Sequence, residues 1–230
     1  MPTVPKIATR ASRIALAALC SLLLAAIAAQ AAVRVYSNDF SSRKEFAEIE
    51  RSGGKACERR YRKKSKSMLA TVERGPATCS FRPPIQGDGE LPNHHVSVDA
   101  KVLDRTPKSI RGGAFIELTV RSGGGGVGYS LRVFPEKERF TLTRGPEGGK
   151  FPISEESSAI KKVGERNRLE LVANGADIRA FVNRKEVAKI TDENPGQVTG
   201  RKIRFSIGSE EQAKKEVLGT FKRVSVAVPG

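Results

Sequence analysis

Leu169-Glu170-Leu171-Val172-Ala173, then Asn174-Gly175, then Asp177 to Asn183 form the stretch that predicts the fold most directly. Apolar and polar side chains alternate on both sides of the Asn-Gly pair, which is the period of a strand with one buried face. Asn and Gly tolerate the positive φ that a tight hairpin turn requires. The stretch therefore predicts two antiparallel strands.

The same pattern of short alternating strands extends along the chain in both directions. Further strands are predicted at His95 to Val102, Ala114 to Arg121, Ile203 to Ile207 and Leu218 to Val228, with a hairpin of Tyr129 to Phe134, a turn at 135–138 and Arg139 to Thr143. The strand at 114–121 should turn Ile116, Leu118 and Val120 inward, and Phe115, Glu117, Thr119 and Arg121 outward. Glu210 to Val217 is predicted to be a surface loop. Short connections favour an all-β fold, an antiparallel two-sheet sandwich.

The first 31 residues have the pattern of an export signal. Three basic residues precede an uncharged run and a small-x-small cleavage motif: Lys6, Arg10 and Arg13, then Ile14 to Ala29, then Ala29-Gln30-Ala31. The uncharged run is shorter than the roughly 20 residues of a membrane-spanning helix, which favours cleavage over a retained anchor. We predict a signal peptide at 1–31, one domain at 32–230 without a membrane span, and a secreted, periplasmic or cell-envelope location.

The chain is strongly basic. It contains 41 Lys and Arg against 25 Asp and Glu, a formal net charge of +16. Three of these cations lie in the leader, so residues 32–230 retain a charge of +13. The positive electrostatic field of such a chain favours acidic polysaccharides or anionic envelope polymers as partners of an exported protein. Nucleic acid is not expected as a partner in vivo. The alternative is a soluble, self-repelling surface.

Two cysteines remain after cleavage, Cys57 and Cys79, because Cys20 lies in the leader. An even pair in an exported protein predicts a disulfide. The absence of C-x-x-C spacing favours a structural role over a redox role.

The second half of the chain carries an arrangement of strands and turns that resembles a known fold group. The quoted hairpin is followed by Val187-Ala188, Asp192, Gly200, Ile203 to Gly208 and Phe221 to Val226. It is preceded by Val33 to Phe40, Tyr129 to Val133 and Phe140 to Leu142. The arrangement resembles a concanavalin A-like jelly roll of the laminin G and 3-keto-disaccharide-hydrolase-like group. This resemblance implies two stacked antiparallel sheets, with a carbohydrate on the concave face of one of them.

Two departures bear on that implied function. The chain has no Trp and only three Tyr, so it has few rings for stacking on sugars. The paired-acid strand motif of related glycoside hydrolases is absent, since Glu117 is the only acid on its strand, and hydrolysis usually needs two carboxyl groups. We therefore expect a secreted non-catalytic module that binds a polysaccharide or another anionic extracellular polymer. Alternatives are a polysaccharide lyase or glycosidase on the same scaffold, or a structural or interaction protein of the cell envelope.

One candidate site is a polar face shared by consecutive strands. It would comprise Asp99, Lys101, Glu117, Thr119, Arg121, Ser130, Arg132 and Thr141, beside Tyr129. Arg121 and Arg132 would hold a carboxylate or sulfate bidentately. In the lyase alternative these arginines would act with Tyr129 or His95 as the base. The competing interpretation is a solvated outer face with cross-strand charge pairs.

A second candidate is a basic run between Lys55 and Lys66. Its cations form a predicted polyanion patch on an exposed turn or edge strand: Arg59, Arg60, Arg62, Lys63, Lys64 and Lys66. The alternative is that these charges only protect a sheet edge from aggregation.

No cofactor or metal site is predicted. His94 and His95, expected on a surface loop, would point to opposite faces and cannot easily share a zinc ion. Calcium is the alternative, through Asp88, Glu90, Asp99 and Asp104, although their spacing matches no ordered loop. Gly123, Gly125 and Gly128 satisfy G-x-G-x-x-G but precede a predicted strand, which favours an inter-strand loop over a phosphate cradle.

Overall fold

The computed structural model describes residues 33–51, 57–73, 77–85, 93–122, 128–145, 153–195, 202–211 and 215–228. The predicted leader lies outside these residues, so the signal peptide stays a prediction. One compact unit spans Arg34–Val228. Within the described ranges no helix is long and apolar enough to cross a membrane.

Fifteen described strands form two antiparallel sheets. Sheet A contains β1 (Val33–Asn38), β3 (Cys57–Arg62), β4 (Ser67–Val72), β6 (Asn93–Val102), β11 (Asn167–Asn174), β12 (Asp177–Val182), β13 (Lys185–Thr191) and β15 (Val217–Val228). Sheet B contains β2 (Glu50–Arg51), β5 (Ala77–Arg82), β7 (Ala114–Ser122), β8 (Tyr129–Phe134), β9 (Arg139–Arg144), β10 (Ile153–Glu156) and β14 (Lys202–Ser209). Sheet B has the order β10-β9-β8-β7-β14-β5-β2, which places β7 at its centre.

The predicted hairpins are confirmed. β11 and β12 pair through Asn174 and Asp177, and Gly175 in the turn has φ of +54°. The next turn, between β12 and β13, uses Asn183 and Arg184 with φ of +51° and +71°, the pair of positive values that a type I′ turn needs. β8 and β9 flank a 3-10 turn, Pro135–Lys137, as the sequence indicates.

The core lies between the two sheets and is built from the inward half of each alternating strand. Ile116, Leu118 and Val120 of β7 are at most 1% exposed, as predicted. Three aromatic rings join the sheets, because Phe81 and Phe205 of sheet B both lie within 5.7 Å of Phe221 of sheet A.

The predicted disulfide is confirmed and joins the same edge of both sheets. Cys57 of β3 bonds to Cys79 of β5, with a Cα–Cα distance of 5.2 Å. β3 is the end strand of sheet A, while β5 is next to the end of sheet B. The bond therefore closes the sandwich at this edge.

Three local features differ from the sequence prediction. A short helix, α1 (Arg43–Glu48), begins at a capping box in which Ser42 accepts from the amide of Glu45 and its own amide donates to the Glu45 carboxylate. This Ser-x-x-Glu signal was present in the sequence. A second helix, α2 (Lys108–Arg111), has only four residues. Phe115, predicted outward, is 1% exposed because the side chains of Phe134 and Arg132 cover it.

Candidate functional site

The predicted polar face is divided between the two sheets. β6, which carries Asp99 and Lys101, belongs to sheet A, whereas β7, β8 and β9 belong to sheet B. Consecutive strands β6 and β7 are therefore not neighbours, and Lys101 does not join Glu117 and Arg132. This prediction was wrong because alternation reveals which residues share a face of one strand and not which sheet that strand enters.

Five of the remaining members lie on the outer face of sheet B, namely Glu117, Thr119, Ser130, Arg132 and Thr141. A groove of about 320 Å³ crosses the central strands of this face. Six hydroxyl side chains line it: Thr78, Ser80, Thr119, Ser122, Ser130 and Thr143. Thr119 and Ser130 stand opposite each other in register, and their hydroxyl oxygens are 2.9 Å apart. Because small hydroxyl side chains cover the middle of the sheet, the groove has a floor of hydrogen-bonding groups.

Glu117 and Arg132 occupy one end of this groove as a closed ion pair. Arg132 donates from Nε to Oε2 of Glu117 at 2.9 Å, and its Nη2 is 2.8 Å from the same oxygen. On its other side Arg132 donates from Nη1 to Glu210 at 3.0 Å. Its guanidinium also lies 4.0 Å from the centre of the Phe115 ring. Two carboxylates and an aromatic ring therefore already hold Arg132.

Arg204 is the second arginine of the groove. It faces Thr119 in register on β14, the strand beside β7. No hydrogen bond or ion pair joins Arg204 to any residue in the described ranges, and its Nε is buried without a partner. Sequence reasoning missed Arg204, although its place between inward Ile203 and Phe205 marks it as outward-facing.

Arg121, predicted on the polar face, and Tyr129, predicted beside it, are interior residues. An extra residue in β7 opposite β14 forms a β-bulge, and Arg121 has φ of +51°. Arg121 is 4% exposed and donates to the carbonyl oxygen of Gly175 at 2.7 Å, in the β11–β12 turn of sheet A. Tyr129 is 0% exposed. The bulge therefore redirects Arg121 away from the groove.

The hydroxyl of Tyr129 donates to Asp192, a carboxylate that is also 2.9 Å from Nε of Arg144. Asp192 is 1% exposed and lies next to β13 of sheet A. Burial, followed by the hydrogen bond to Asp192, raises the pKa of Tyr129 well above its usual value. A buried tyrosine that stays neutral and donates to a carboxylate is placed to join the sheets, and it does not reach the groove as a base.

The outer face of sheet A carries a cross-strand charge network. His95 and Arg168 lie 2.9 and 3.1 Å from the carboxylate of Glu170. The hydrogen bond with His95 lowers the pKa of Glu170, and burial opposes it. Lys101 donates to the carbonyl oxygen of Gly164 at 3.0 Å. For the part of the predicted site that lies on sheet A, the structure therefore shows the competing interpretation, an outer face with charge pairs across strands.

The basic run forms edge strand β3 and the turn after it, as predicted. Arg60, Arg62, Lys63, Lys64 and Lys66 are exposed. Arg59 is different: it donates to the carbonyl oxygens of Phe46 and Ile49 at the end of α1, and its guanidinium lies 4.7 Å from the centre of the Phe46 ring. Arg59 thus holds α1 on the edge, and five cations remain in the exposed patch.

The two histidines lie on a strand and not on a surface loop. His94 is 2% exposed and faces the interior, while His95 faces outward, so they point to opposite faces as predicted. No group of three potential metal ligands occurs among the residues with described positions. Asp88 and Glu90 of the calcium alternative lie outside those residues, and Asp99 is within 4 Å of Arg168 and Arg223. Gly123 and Gly125 are also outside the described residues; the segment joins antiparallel strands β7 and β8.

No protein-family model and no curated protein sequence matches the chain. Solved structures do match in fold. A protein of unknown function with a galectin-like fold from Bacillus subtilis has a TM-score of 0.60 at 13% identity, over 86% of this chain and 98% of that one. A carbohydrate-binding module from Bacillus subtilis has a TM-score of 0.51 at 13% identity, over 70% and 86% of the two chains.

A laminarinase from Flavobacterium sp. UMI-01 has a TM-score of 0.59 at 9% identity, over 84% of this chain and 99% of that one. At such identities the likeness concerns the fold. The similar structures include both binding modules and enzymes, so the fold does not by itself choose an activity. Together with the two antiparallel sheets, these likenesses show that the chain has the concanavalin A-like jelly-roll fold.

Proposed function

We propose that this protein is a secreted, non-catalytic module that binds an oligosaccharide segment in the groove of sheet B. The observation that carries the proposal is the row of hydroxyl side chains across the middle of the sheet. Some proteins of this fold bind or act on carbohydrates, which makes a glycan the first ligand to consider.

The groove favours binding through hydrogen bonds. Its described lining contains no aromatic side chain, so stacking on a sugar ring is not its means of recognition. Thr119 and Ser130 can each exchange their mutual hydrogen bond for one to a sugar hydroxyl at little cost, because a hydroxyl both donates and accepts. Specificity would then arise from the spacing of these hydroxyls along the strands.

The position of Arg132 argues against glycoside hydrolysis. Retaining and inverting glycosidases both place the scissile bond between two carboxyl groups. Here the guanidinium of Arg132 lies between Glu117 and Glu210 and bonds to both. A cation fills the space that the sugar would need. A lyase remains the enzymatic alternative, without Tyr129 as an accessible base.

The proposed location rests on two independent features. The predicted leader directs export, and the disulfide between the sheet edges is of the kind that persists in oxidising compartments. We therefore place the protein outside the cytoplasm, in the envelope or beyond it, where polysaccharides are available.

The test is binding of the purified domain, residues 32–230, to a panel of neutral and acidic oligosaccharides by calorimetry. The double variant Thr119→Val and Ser130→Ala removes both members of one hydroxyl pair, so neither is left unsatisfied and the fold should be nearly unaffected. The matched control, Thr71→Val and Ser225→Ala, removes two hydroxyls from the outer face of sheet A.

We expect at least a 10-fold loss of affinity in the groove variant, since each lost hydrogen bond contributes about 1 kcal/mol, and no loss in the control. Equal affinities for wild type and groove variant would refute the proposed site. Release of shortened or unsaturated products from any bound oligosaccharide would instead favour the enzymatic alternative.

A further inference from the structure

We propose that Arg204 binds the anionic group, carboxylate or sulfate ester, of an acidic sugar, so that the groove selects charged glycans. This inference rests on the proposed function and adds a specificity residue to it. The sequence assigned that role to Arg121 and Arg132, but the structure places Arg121 inside the sandwich and Arg132 between two carboxylates.

Arg204 is the arginine of the groove whose charge the described residues leave uncompensated. It is half-buried in the wall of the groove, beside Thr119, and none of the described acids pairs with it. Its Nε is shielded from solvent and has no acceptor. A guanidinium that has lost part of its hydration without gaining a partner costs stability, which is the condition under which an anionic ligand gains most from binding.

Neighbouring groups strengthen the positive field at this position. Arg82 flanks Arg204 on β5; its Nε is also buried without an acceptor, and its ion pair with Glu50 spans 3.7 Å. Lys202 is exposed on the same strand as Arg204, two residues earlier. Ser122, in the groove wall, has a buried hydroxyl without a partner among the residues whose positions are described. Arg82 and Lys202 line a smaller neighbouring pocket and add their positive charge to that of Arg204 in the groove.

The chemistry of these groups fits an acidic sugar and not an isolated inorganic anion. A planar guanidinium binds a carboxylate or sulfate through two parallel hydrogen bonds. The hydroxyls of Thr119 and Ser130 continue from Arg204 across the sheet, since the three residues stand side by side in register on β14, β7 and β8. One sugar can thus place its charge on Arg204 while its ring hydroxyls bind the adjacent row.

The experiment compares oligosaccharides that differ only in charge. The probes are a galacturonate hexamer, its fully methyl-esterified form, a sulfated carrageenan oligosaccharide and its desulfated form. The variant is Arg204→Gln, and the control is Lys189→Gln, which removes one positive charge from β13, the strand at the opposite edge of sheet A from the basic run.

We expect Arg204→Gln to weaken binding of at least one acidic probe about 10- to 100-fold, the range for hydrogen bonds to charged groups, and to leave its neutral counterpart unchanged. Lys189→Gln should weaken binding of the acidic probes by less than 3-fold. The carboxylate and sulfate arms show which anion is bound. Arg204→Gln should also unfold at the same temperature as wild type or higher, because it removes a half-buried cation without a partner.

Equal losses in the two variants, or wild-type binding of neutral and acidic forms with one affinity, would overturn the inference. In the latter case the proposed glycan groove would still stand if the Thr119→Val, Ser130→Ala variant weakened binding. Absence of binding to every probe in the panel would overturn both.

Discussion

The buried cluster of Tyr129, Asp192 and Arg144 should control the stability of the sandwich. Asp192 accepts from the Tyr129 hydroxyl and from the amide of Asn194 at 2.9 Å, and forms the ion pair with Arg144. Tyr129 and Arg144 belong to sheet B, whereas Asp192 follows the last strand of the β12–β13 hairpin in sheet A. The cluster therefore joins the sheets at the end that the disulfide does not reach.

Two substitutions separate its parts. Tyr129→Phe removes one hydrogen bond to a charged acceptor, which should lower the free energy of unfolding by about 2 kcal/mol, since Asp192 keeps its other partners. Asp192→Ala should cost about 3–5 kcal/mol, because it takes the carboxylate of this ion pair away from the buried Arg144 and removes the acceptor of the Tyr129 hydroxyl. The double variant should cost less than the sum of the two, since both remove the same bond.

The assay is urea unfolding at neutral pH, with glycan binding measured on each variant at a temperature where it is folded. The reasoning would be refuted if Asp192→Ala cost less than 1 kcal/mol or if the two costs simply added. Folded Tyr129→Phe should bind the panel as wild type does. A large loss of binding or of any activity in this variant would show that Tyr129 has a functional role and not only a structural one.

Three further predictions concern pH, the disulfide and the basic edge. Burial raises the pKa of Tyr129 above its usual range and the pKa of Tyr36 to about 12, so these tyrosines lose their protons at lower pH in the unfolded chain than in the folded protein. The free energy of unfolding should therefore fall as the pH rises above about 10, and it should fall less steeply in Tyr129→Phe. Reducing the disulfide, whose cysteines are 22 residues apart, should lower the free energy of unfolding by about 3 kcal/mol in denaturant titrations with and without reductant. In the same titrations Arg59→Met should lower the free energy of unfolding by about 1–3 kcal/mol, and Arg60→Met by less than 0.5 kcal/mol. Salt-dependent binding to heparin should weaken only in Arg60→Met. The opposite ranking in either assay would contradict the assignment of Arg59 to the fold.

The sandwich was predictable because the sequence features that define its strands and hairpins each lie within a few consecutive residues. Alternation over a few residues sets the buried face of each strand, and turn residues such as Asn174-Gly175 set the hairpins. The disulfide was predictable because an even number of cysteines remains after the predicted leader and because an exported protein is expected in an oxidising compartment. Helix α1 was missed although its capping box is visible, because a six-residue helix has too few apolar positions to show a period.

The site was only partly predictable because it depends on sheet assignment and on one irregularity. The groove residues Glu117, Thr119, Ser130 and Arg132 were selected correctly as one face. Lys101 was included because β6 and β7 are adjacent in sequence, yet they belong to different sheets. Arg121 was included because strict alternation continues through it, and a β-bulge is not encoded in that pattern.

The distribution of partners among the arginines connects stability to function. Arg59, Arg121 and Arg132 are each held by acceptors within the fold, and these contacts anchor α1, tie the sheets together and close one end of the groove. A guanidinium already held in this way gains little from a ligand, because binding must first break existing bonds. Arg204 has no such bonds to break among the described residues, so at equal exposure its attraction for an anion is the larger. We therefore expect recognition in this basic protein to depend on a cation that the fold leaves unsatisfied, and not on where cations are most dense in the sequence.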